Sequence, residues 1–296
     1  DGPSMLSTLN GIFALAMWDT RTNELLLARD GVGVKPLYYA MTPNGFLFAS
    51  ELKAILQAPD VDRTIDPQAL QAYLTYLWCP APNTMLQSVK KLEPGNALIV
   101  KNGRIQKQWQ YYNLPYHQSI ETLSEQDAIE QTRSYITQAV ERQLVSDVPV
   151  GAFLSGGLDS SAVVACTRRI NPDQPIDCFT IGFQDKILQT EGFAEDLPYA
   201  QRVAKHLGVK LNTIHVGPEM LDQLETMLYH LDEPQGDPAP INALFISQLA
   251  EQNGIKVLLS GAGGDDVFTG YRRHHALMLE RYWSWLPVST RRILRR

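Results

Sequence analysis

Val150-Gly151-Ala152-Phe153-Leu154-Ser155-Gly156-Gly157-Leu158-Asp159-Ser160-Ser161 is the stretch whose reading decides the fold. The first five residues form an apolar run of strand length, and a helical pattern runs from Ser160 to Ile170. Between them stand two glycines, which allow positive φ and close approach of backbone to a ligand. A helix that starts here directs unsatisfied N–H groups and the positive end of its dipole at whatever fills the turn, so the corner suits an anion. Ser155, Ser160 and Ser161 add hydroxyl donors. Asp159 has the wrong charge for a phosphate unless a divalent cation bridges carboxylate and phosphate oxygens, which is how Mg²⁺ is commonly held. A Walker loop is excluded, because no Lys is present, and so is a Gly-x-Ser-x-Gly nucleophile elbow, because Phe153 stands two before Ser155. The plain alternative is a capped turn without ligand.

A second glycine-rich turn follows the apolar strand ending in Val257-Leu258-Leu259. It reads Ser260-Gly261-Ala262-Gly263-Gly264-Asp265-Asp266. Three glycines and two acids at a strand end repeat the earlier logic, although taken alone this could be a solvated Gly/Asp turn.

Outward from these loops the chain alternates strand and helix. Strands are expected at 148–154, 178–181, 211–216 and 255–259, and helices at 160–170, 197–207, 219–231 and 243–252. Such alternation predicts a parallel sheet with crossover helices and ligands at the strands' carboxyl ends. A helix opened by Ser124 to Asp127, a capping-box variant, carries Ile129, Ile136, Val140 and Leu144 on one face. The first hundred residues differ. Short apolar runs at 12–18, 24–28, 36–40, 46–50, 97–100 and 104–109, separated by turns such as Asn102-Gly103, suit antiparallel hairpins. One helix interrupts them, capped by Asp66 with Pro67 in its first turn, its buried face formed by Leu70, Tyr73, Leu74, Leu77 and Trp78, and ended by Pro80 and Pro82. The expected domains are 1–115, a linker at 116–123, and 124–296.

The 26 Lys and Arg against 32 Asp and Glu leave a net charge of −6 among 296 residues, which argues against nucleic acid as a partner. No apolar run reaches membrane-span length, so no membrane partner is expected. Three widely spaced cysteines form neither metal motif nor disulfide framework, which points to a reducing, cytoplasmic setting. The opening Asp1-Gly2-Pro3-Ser4 and the closing Arg291-Arg292-Ile293-Leu294-Arg295-Arg296 read as truncation points, the latter as an unfinished amphipathic helix. A basic tail for an acidic partner is the rival reading of the latter.

The heptad at 155–161 resembles the signature of PP-loop ATP pyrophosphatases, and the whole chain is similar to glutamine-dependent asparagine synthetases. The second loop aligns with that family's Ser-Gly-Glu/Asp-Gly-Ser/Gly-Asp-Glu, and Asp232-Glu233-Pro234 and Asp237-Pro238 match another of its segments. Asn10-Gly11-Ile12-Phe13-Ala14, the stretch from Ala28-Arg29-Asp30 to Lys35-Pro36-Leu37-Tyr38-Tyr39, and Phe48-Ala49-Ser50-Glu51 resemble the class II glutamine amidotransferase domain. As chemistry, Arg29, Asp30 and Lys35 read more simply as surface ion-pairing residues. The resemblance implies an α/β, adenine nucleotide α-hydrolase-like synthetase domain behind part of an α+β antiparallel N-terminal-nucleophile glutaminase. It implies ATP and Mg²⁺, with aspartate or another carboxylate and glutamine or ammonia as small-molecule partners. A homodimer is one assembly open to it. By this resemblance Ser155, Gly156, Gly157, Ser160 and Ser161 hold pyrophosphate, and Asp159 and Asp265 ligate Mg²⁺. Leu154, Ile181, Ser260 and Gly261 touch the adenosine, although Leu154 and Ile181 also read as core strand residues.

Two departures stand out. Position 262, usually acidic in the family and thought to act as a base, is Ala262, so Asp266 is the candidate substitute or the acceptor differs. The family's N-terminal nucleophilic cysteine has no counterpart near residue 1. This chain alone is therefore expected not to hydrolyse glutamine, whereas the full-length protein would.

Overall fold

Period-two alternation in the first hundred residues folds as two antiparallel sheets. A computed structural model of the chain describes residues 2–115, 122–183, 196–237, 239–280, 282 and 284–287. The chain divides into two units, one of Asp1–Glu121 with Asp222–Pro240 and one of Thr122–Leu221 with Ile241–Arg296.

In the first unit, β1 (Ala14–Asp19), β2 (Glu24–Arg29), β6 (Asn96–Lys101) and β7 (Arg104–Gln110) pair in that order. A second sheet has the order β4 (Gly45–Ala49), β3 (Tyr38–Thr42), β5 (Val89–Lys91). Leu27 and Leu98 on one face meet Leu37 and Leu92 between the sheets. Alternate residues Leu26, Ala28 and Ala97 face the other way, under Leu6 of a 3₁₀ turn at Gly2–Thr8. Tyr38, Ala40 and Val89 pack beneath α1 (Leu52–Ile55) through Leu52 and Ile55. The Asn102-Gly103 turn is present with both residues at positive φ, as a two-residue hairpin requires.

Helix α2 (Pro67–Tyr76) starts as expected, the Asp66 carboxylate accepting from the Gln68 and Ala69 N–H groups. Its apolar stripe behaves otherwise. Ala69 is the buried residue, and Leu70, Leu74, Leu77 and Trp78 are all exposed, Leu74 at 70%. Periodicity identified a helix face but not what covers it. The helix also stops at Tyr76, before either proline, because Leu77 turns left-handed and presents its carbonyl to the Gly236 N–H at 2.8 Å.

Arg29 and Asp30 are not surface ion-pairing residues. Asp30 is fully buried and its carboxylate accepts from the N–H groups of Val32, Val34 and Lys35 at 3.0–3.2 Å. Arg29 donates to the carbonyls of Lys35, Leu92 and Gly33 at 2.6–2.7 Å. Together they satisfy three N–H groups and two carbonyls of the 30–35 loop from inside, while Lys35 itself is exposed.

In the second unit all four strands are parallel, in the order β10 (Lys210–Val216), β9 (Asp177–Phe183), β8 (Val150–Phe153), β11 (Val257–Leu259). Helix α3 (Glu125–Gln143) precedes the sheet, the Ser124 Oγ accepting from the Asp127 N–H and donating to its carboxylate, as the capping pattern predicts. Helices α4 (Leu158–Ile170) and α5 (Leu197–Leu207) cross between strands, contributing Val164, Ala200 and Ala204 to a core with Ala152, Leu154, Cys178 and Leu259. On the opposite face α7 (Ala239–Gln252) packs Ile246 and Ala250 onto Phe179 and Ile255. Both faces of the sheet are thus covered, as parallel sheets require. The helix read at 219–231 is a 3₁₀ turn, Pro218–Gln223, followed by α6 (Leu224–Leu231). Residues 222–240, read from sequence as part of the second domain, cluster with the first unit. The expected linker at 116–123 lies mostly outside the described residues, and the expected helix at 291–296 lies wholly outside them.

Asp30→Ala should lower the unfolding free energy by about 3 kcal/mol, because it strands three N–H donors that converge on a fully buried carboxylate and removes the charge facing Arg29. A urea titration of the chain checks this, and an unchanged midpoint contradicts the role given to Asp30.

Candidate nucleotide site

Strand order creates the site. From β8 the sheet runs to β9 and β10 on one side and to β11 on the other. The β8–β11 junction is therefore where the chain's direction of winding reverses, the place where open α/β sheets bind ligands. The register Val150↔Val257, Gly151↔Leu258, Ala152↔Leu259 brings the two glycine-rich loops out at the same end of adjacent strands.

The loop after β8 is held by its own serines. Ser155 and Ser160 hydroxyls are 3.0 Å apart, the Ser155 N–H donates to the Ser160 Oγ at 3.3 Å, and the Gly157 N–H donates to the Ser155 Oγ at 3.3 Å. Gly157 is the N-cap of α4 and offers no side chain, and the first helical bond is Ser161 N–H to the Gly157 carbonyl. The first-turn N–H groups before Ser161 are thus uncapped and available to an anion. Ser161 Oγ is buried with no hydrogen-bond partner among the described residues. An orphaned hydroxyl beside an uncapped helix start is what a phosphate oxygen would satisfy.

Three glycines are fixed by close approach. Gly156 has φ +81°, and a Cβ there would run into the backbone of Tyr199 and Ala200 in the first turn of α5. At Gly261 a Cβ would stand 2.6 Å from the Ser160 nitrogen and 2.8 Å from the Asp159 Cβ. At Gly264 it would run into the Asp159 carboxylate. The second loop therefore lies directly on the first turn of α4, and Asp159 rests against the residue that precedes Asp265. Asp265 and Asp266 occupy the first turn of α8 (Gly264–Phe268), which Gly263 enters at φ +92°.

These positions test the cation. Asp159 makes no ion pair with any described residue, and among the described residues no group of three or more His, Cys, Asp or Glu side chains could hold a metal alone. Two hard carboxylates supplemented by phosphate oxygens is the donor set Mg²⁺ uses at nucleotide sites, so the residues fit it as a nucleotide-bridged ion.

Other sequence candidates sort differently. Leu154 is buried in the core and its N–H donates to the Phe179 carbonyl at 2.9 Å, so its side chain packs rather than binds. Ile181 packs partly buried beside Phe179. The Ser260 Oγ accepts from the Ala262 N–H at 3.0 Å, and the Ala262 methyl is exposed. Asp232, Glu233 and Asp237 belong to the first unit rather than to these loops. Sequence reasoning missed Tyr199 and Ala200 as the floor under Gly156. No local signal marks either, because both depend on where α5 lands.

Fold and site together define a PP-loop α/β protein joined to an antiparallel amidotransferase-type unit. The family model for asparagine synthase matches residues 131–296, and that for the glutamine amidotransferase domain matches residues 1–112. The chain belongs to the asparagine synthase family. It is 33% identical over 290 residues to glutamine-hydrolysing asparagine synthetase 1 of Bacillus subtilis (strain 168), covering 97% of this chain and 44% of that protein. Asparagine synthetase 3 of the same organism is 33% identical over 294 residues, with 96% and 47% covered. Amidase chyE of Penicillium rubens is 30% identical over 314 residues, with 98% and 45% covered. The chain thus spans a little under half the length of these relatives.

Gly156→Ala should abolish nucleotide binding while leaving the first unit folded, since any side chain pushes α5 off the loop. Calorimetric titration with ATP and Mg²⁺ measures this, and wild-type affinity in the variant contradicts the packing.

Proposed function

We propose that the full protein containing this chain is an ATP-dependent amide-forming ligase that draws ammonia from glutamine. The observation that carries this reading is the contact between the two loops at the β8–β11 junction, with Asp159 seated against Gly264.

The chemistry follows from the donors present. The uncapped N–H groups of α4 and the hydroxyls of Ser155, Ser160 and Ser161 bind and orient the β and γ phosphates, so that an acceptor carboxylate oxygen can attack the α-phosphorus. The bond from that phosphorus to the β-phosphate oxygen breaks, pyrophosphate leaves, and an acyl-adenylate remains. Ammonia then attacks the acyl carbon, AMP leaves with the electron pair of the broken C–O bond, and the nitrogen loses a proton. Asp159 and Asp265 would hold Mg²⁺, which supplies charge neutralisation as the phosphate bond breaks. Helix-end dipoles in a fixed cradle stabilise that charge without reorganisation. Activation is needed because a free carboxylate has no adequate leaving group, whereas AMP departs readily.

Aspartate is the acceptor of the first reading, by analogy with the relatives named as asparagine synthetases. Ala262 favours a second reading, a different carboxylate, since its methyl cannot transfer a proton and Asp266 is the acid of the loop not already given to the cation. The relative named as an amidase shows that such names vary within the similarity range.

Pyrophosphate release by the full-length protein, with ATP, Mg²⁺, ammonia and a panel of carboxylic acids, separates these readings. Release with aspartate supports the first and release only with another acid the second. ATP binding without turnover on any acid contradicts both. Asp159→Asn should lower release by about 100-fold, the scale of losing one preorganised electrostatic contact to developing charge.

A further inference from the structure

Four glycines follow β11, at 261, 263, 264 and 270, and Gly263 alone among them has a positive φ. It enters α8 at φ +92°, a conformation glycine reaches without strain. The exit from α8 is left-handed as well, but there Thr269 takes that conformation, at φ +64°. Gly270 comes one residue later, outside the left-handed region. Backbone conformation therefore does not ask for glycine at 270.

Space does. A Cβ on Gly270 would fall on the Asp265 carboxylate, and the three atoms nearest to it all belong to the Asp265 side chain. Gly264 repeats the pattern, because there the three nearest atoms are all carboxylate atoms of Asp159. The backbone closes on Asp265 too. The N–H groups of Thr269 and Gly270 both donate to its carbonyl, the second at 3.1 Å. Each carboxylate assigned to the cation thus lies against the bare Cα of one glycine. Both aspartates are half-buried, and neither forms an ion pair with a described residue.

A carboxylate packed against backbone has fewer rotamers to lose when it binds, so its geometry is set in advance. Cations differ in how much that matters. Mg²⁺ demands near-octahedral oxygens at about 2.0–2.1 Å, whereas Ca²⁺ accepts about 2.3–2.6 Å and irregular coordination. Fixed ligands therefore favour the smaller ion, and loosened ligands cost it more.

We propose that Gly264 and Gly270 are seats that fix the Asp159 and Asp265 carboxylates before a cation arrives, and that this fixing gives the nucleotide site its preference for Mg²⁺ over larger divalent cations. The inference rests on the nucleotide-site reading above and adds its cation specificity. Gly270 is a positioning residue that acts through Asp265.

The test is Gly270→Ala in the full-length protein, with ATP affinity measured by calorimetry in magnesium chloride and in calcium chloride. The wild type should bind ATP more tightly with Mg²⁺, and equal affinity with both ions overturns the preference. In the variant the Mg²⁺-supported affinity should fall about tenfold, the low end for losing a group that orients a metal ligand. The Ca²⁺-supported affinity should fall less, so the Mg²⁺-to-Ca²⁺ ratio drops. An unchanged ratio, whether both affinities fall together or neither moves, overturns the seat. In an Asp265→Ala background the same substitution should leave the ratio alone, because no carboxylate remains to displace. A further drop there shows that the effect passes elsewhere and overturns the proposal. If Gly270→Ala fails to fold, Asp265→Glu carries the carboxylate past Gly270 and should lower the ratio, and an unchanged ratio is again decisive against the seat. A wild type that binds ATP no more tightly with either ion than without one contradicts the nucleotide-site reading itself, and the seats fall with it. A wild type that responds to Mg²⁺, with a Gly270→Ala variant that keeps its ratio, removes the seats alone.

Discussion

The second unit depends on bare backbone meeting bare backbone at the ends of β8 and β11. Gly261 sits on the Ser160 nitrogen and Gly264 on the Asp159 carboxylate. Nothing larger fits, so the two loops form one surface rather than two independent turns. That closeness explains why an aspartate can stand in a phosphate-binding corner. Its charge is presented where a second carboxylate-bearing loop arrives, a set that a cation with phosphate oxygens would complete. The hydroxyls of Ser155 and Ser160, 3.0 Å apart, and the uncapped start of α4 belong to the same corner.

A contrast within the molecule shows what separates a binding loop from a structural one. The 30–35 loop also gathers several N–H groups toward one point, but Asp30 fills that point from inside with its own carboxylate. Arg29 does the complementary work on the carbonyls. Three N–H groups and two carbonyls there are satisfied from inside, so the loop has fewer groups to offer a ligand. The 155–161 loop instead leaves its first-turn donors and the Ser161 hydroxyl unsatisfied. Both stretches contain glycine and aspartate, and on sequence alone Asp30 looked like the exposed acid. Which way a carboxylate turns is set by the packing around it: here β2, the 30–35 loop and the chain near Leu92 leave Asp30 no route to solvent.

Local signals were legible wherever one segment sufficed. The strand, glycine turn and helix start at 150–161, the Asp66 cap, the Ser124 capping pattern and the Asn102-Gly103 hairpin all stand where the residues placed them. So did the parallel character of the second sheet. What could not be read was adjacency. Nothing in residues 255–259 says that β11 lies beside β8 rather than beyond β10. The stripe of Leu70, Leu74, Leu77 and Trp78 marked a helix face correctly but carried no information about what, if anything, covers it within the unit. Tyr199 and Ala200 became part of the site only through the landing point of α5. Leu154, read both as a core residue and, by resemblance, as an adenosine contact, has its side chain in the core.

Residues 222–240 show how far sequence order can diverge from structural allegiance. The segment stands between β10 and β11 in the chain, so alternation of strand and helix assigned it to the parallel sheet's unit. Its polar groups decide otherwise. Asp232 at positive φ and Glu233 beside it are nearly buried, and their partners, α1, Met85 and Lys91, all lie in the first hundred residues. A buried carboxylate without a partner is far more costly than one that is paired, so a segment carrying two of them goes where the partners are. Hydrophobic periodicity is blind to this, because it registers which residues want to be buried and not which charges require each other. The consequence is a segment that follows the parallel sheet's unit in sequence but clusters with the antiparallel sheets.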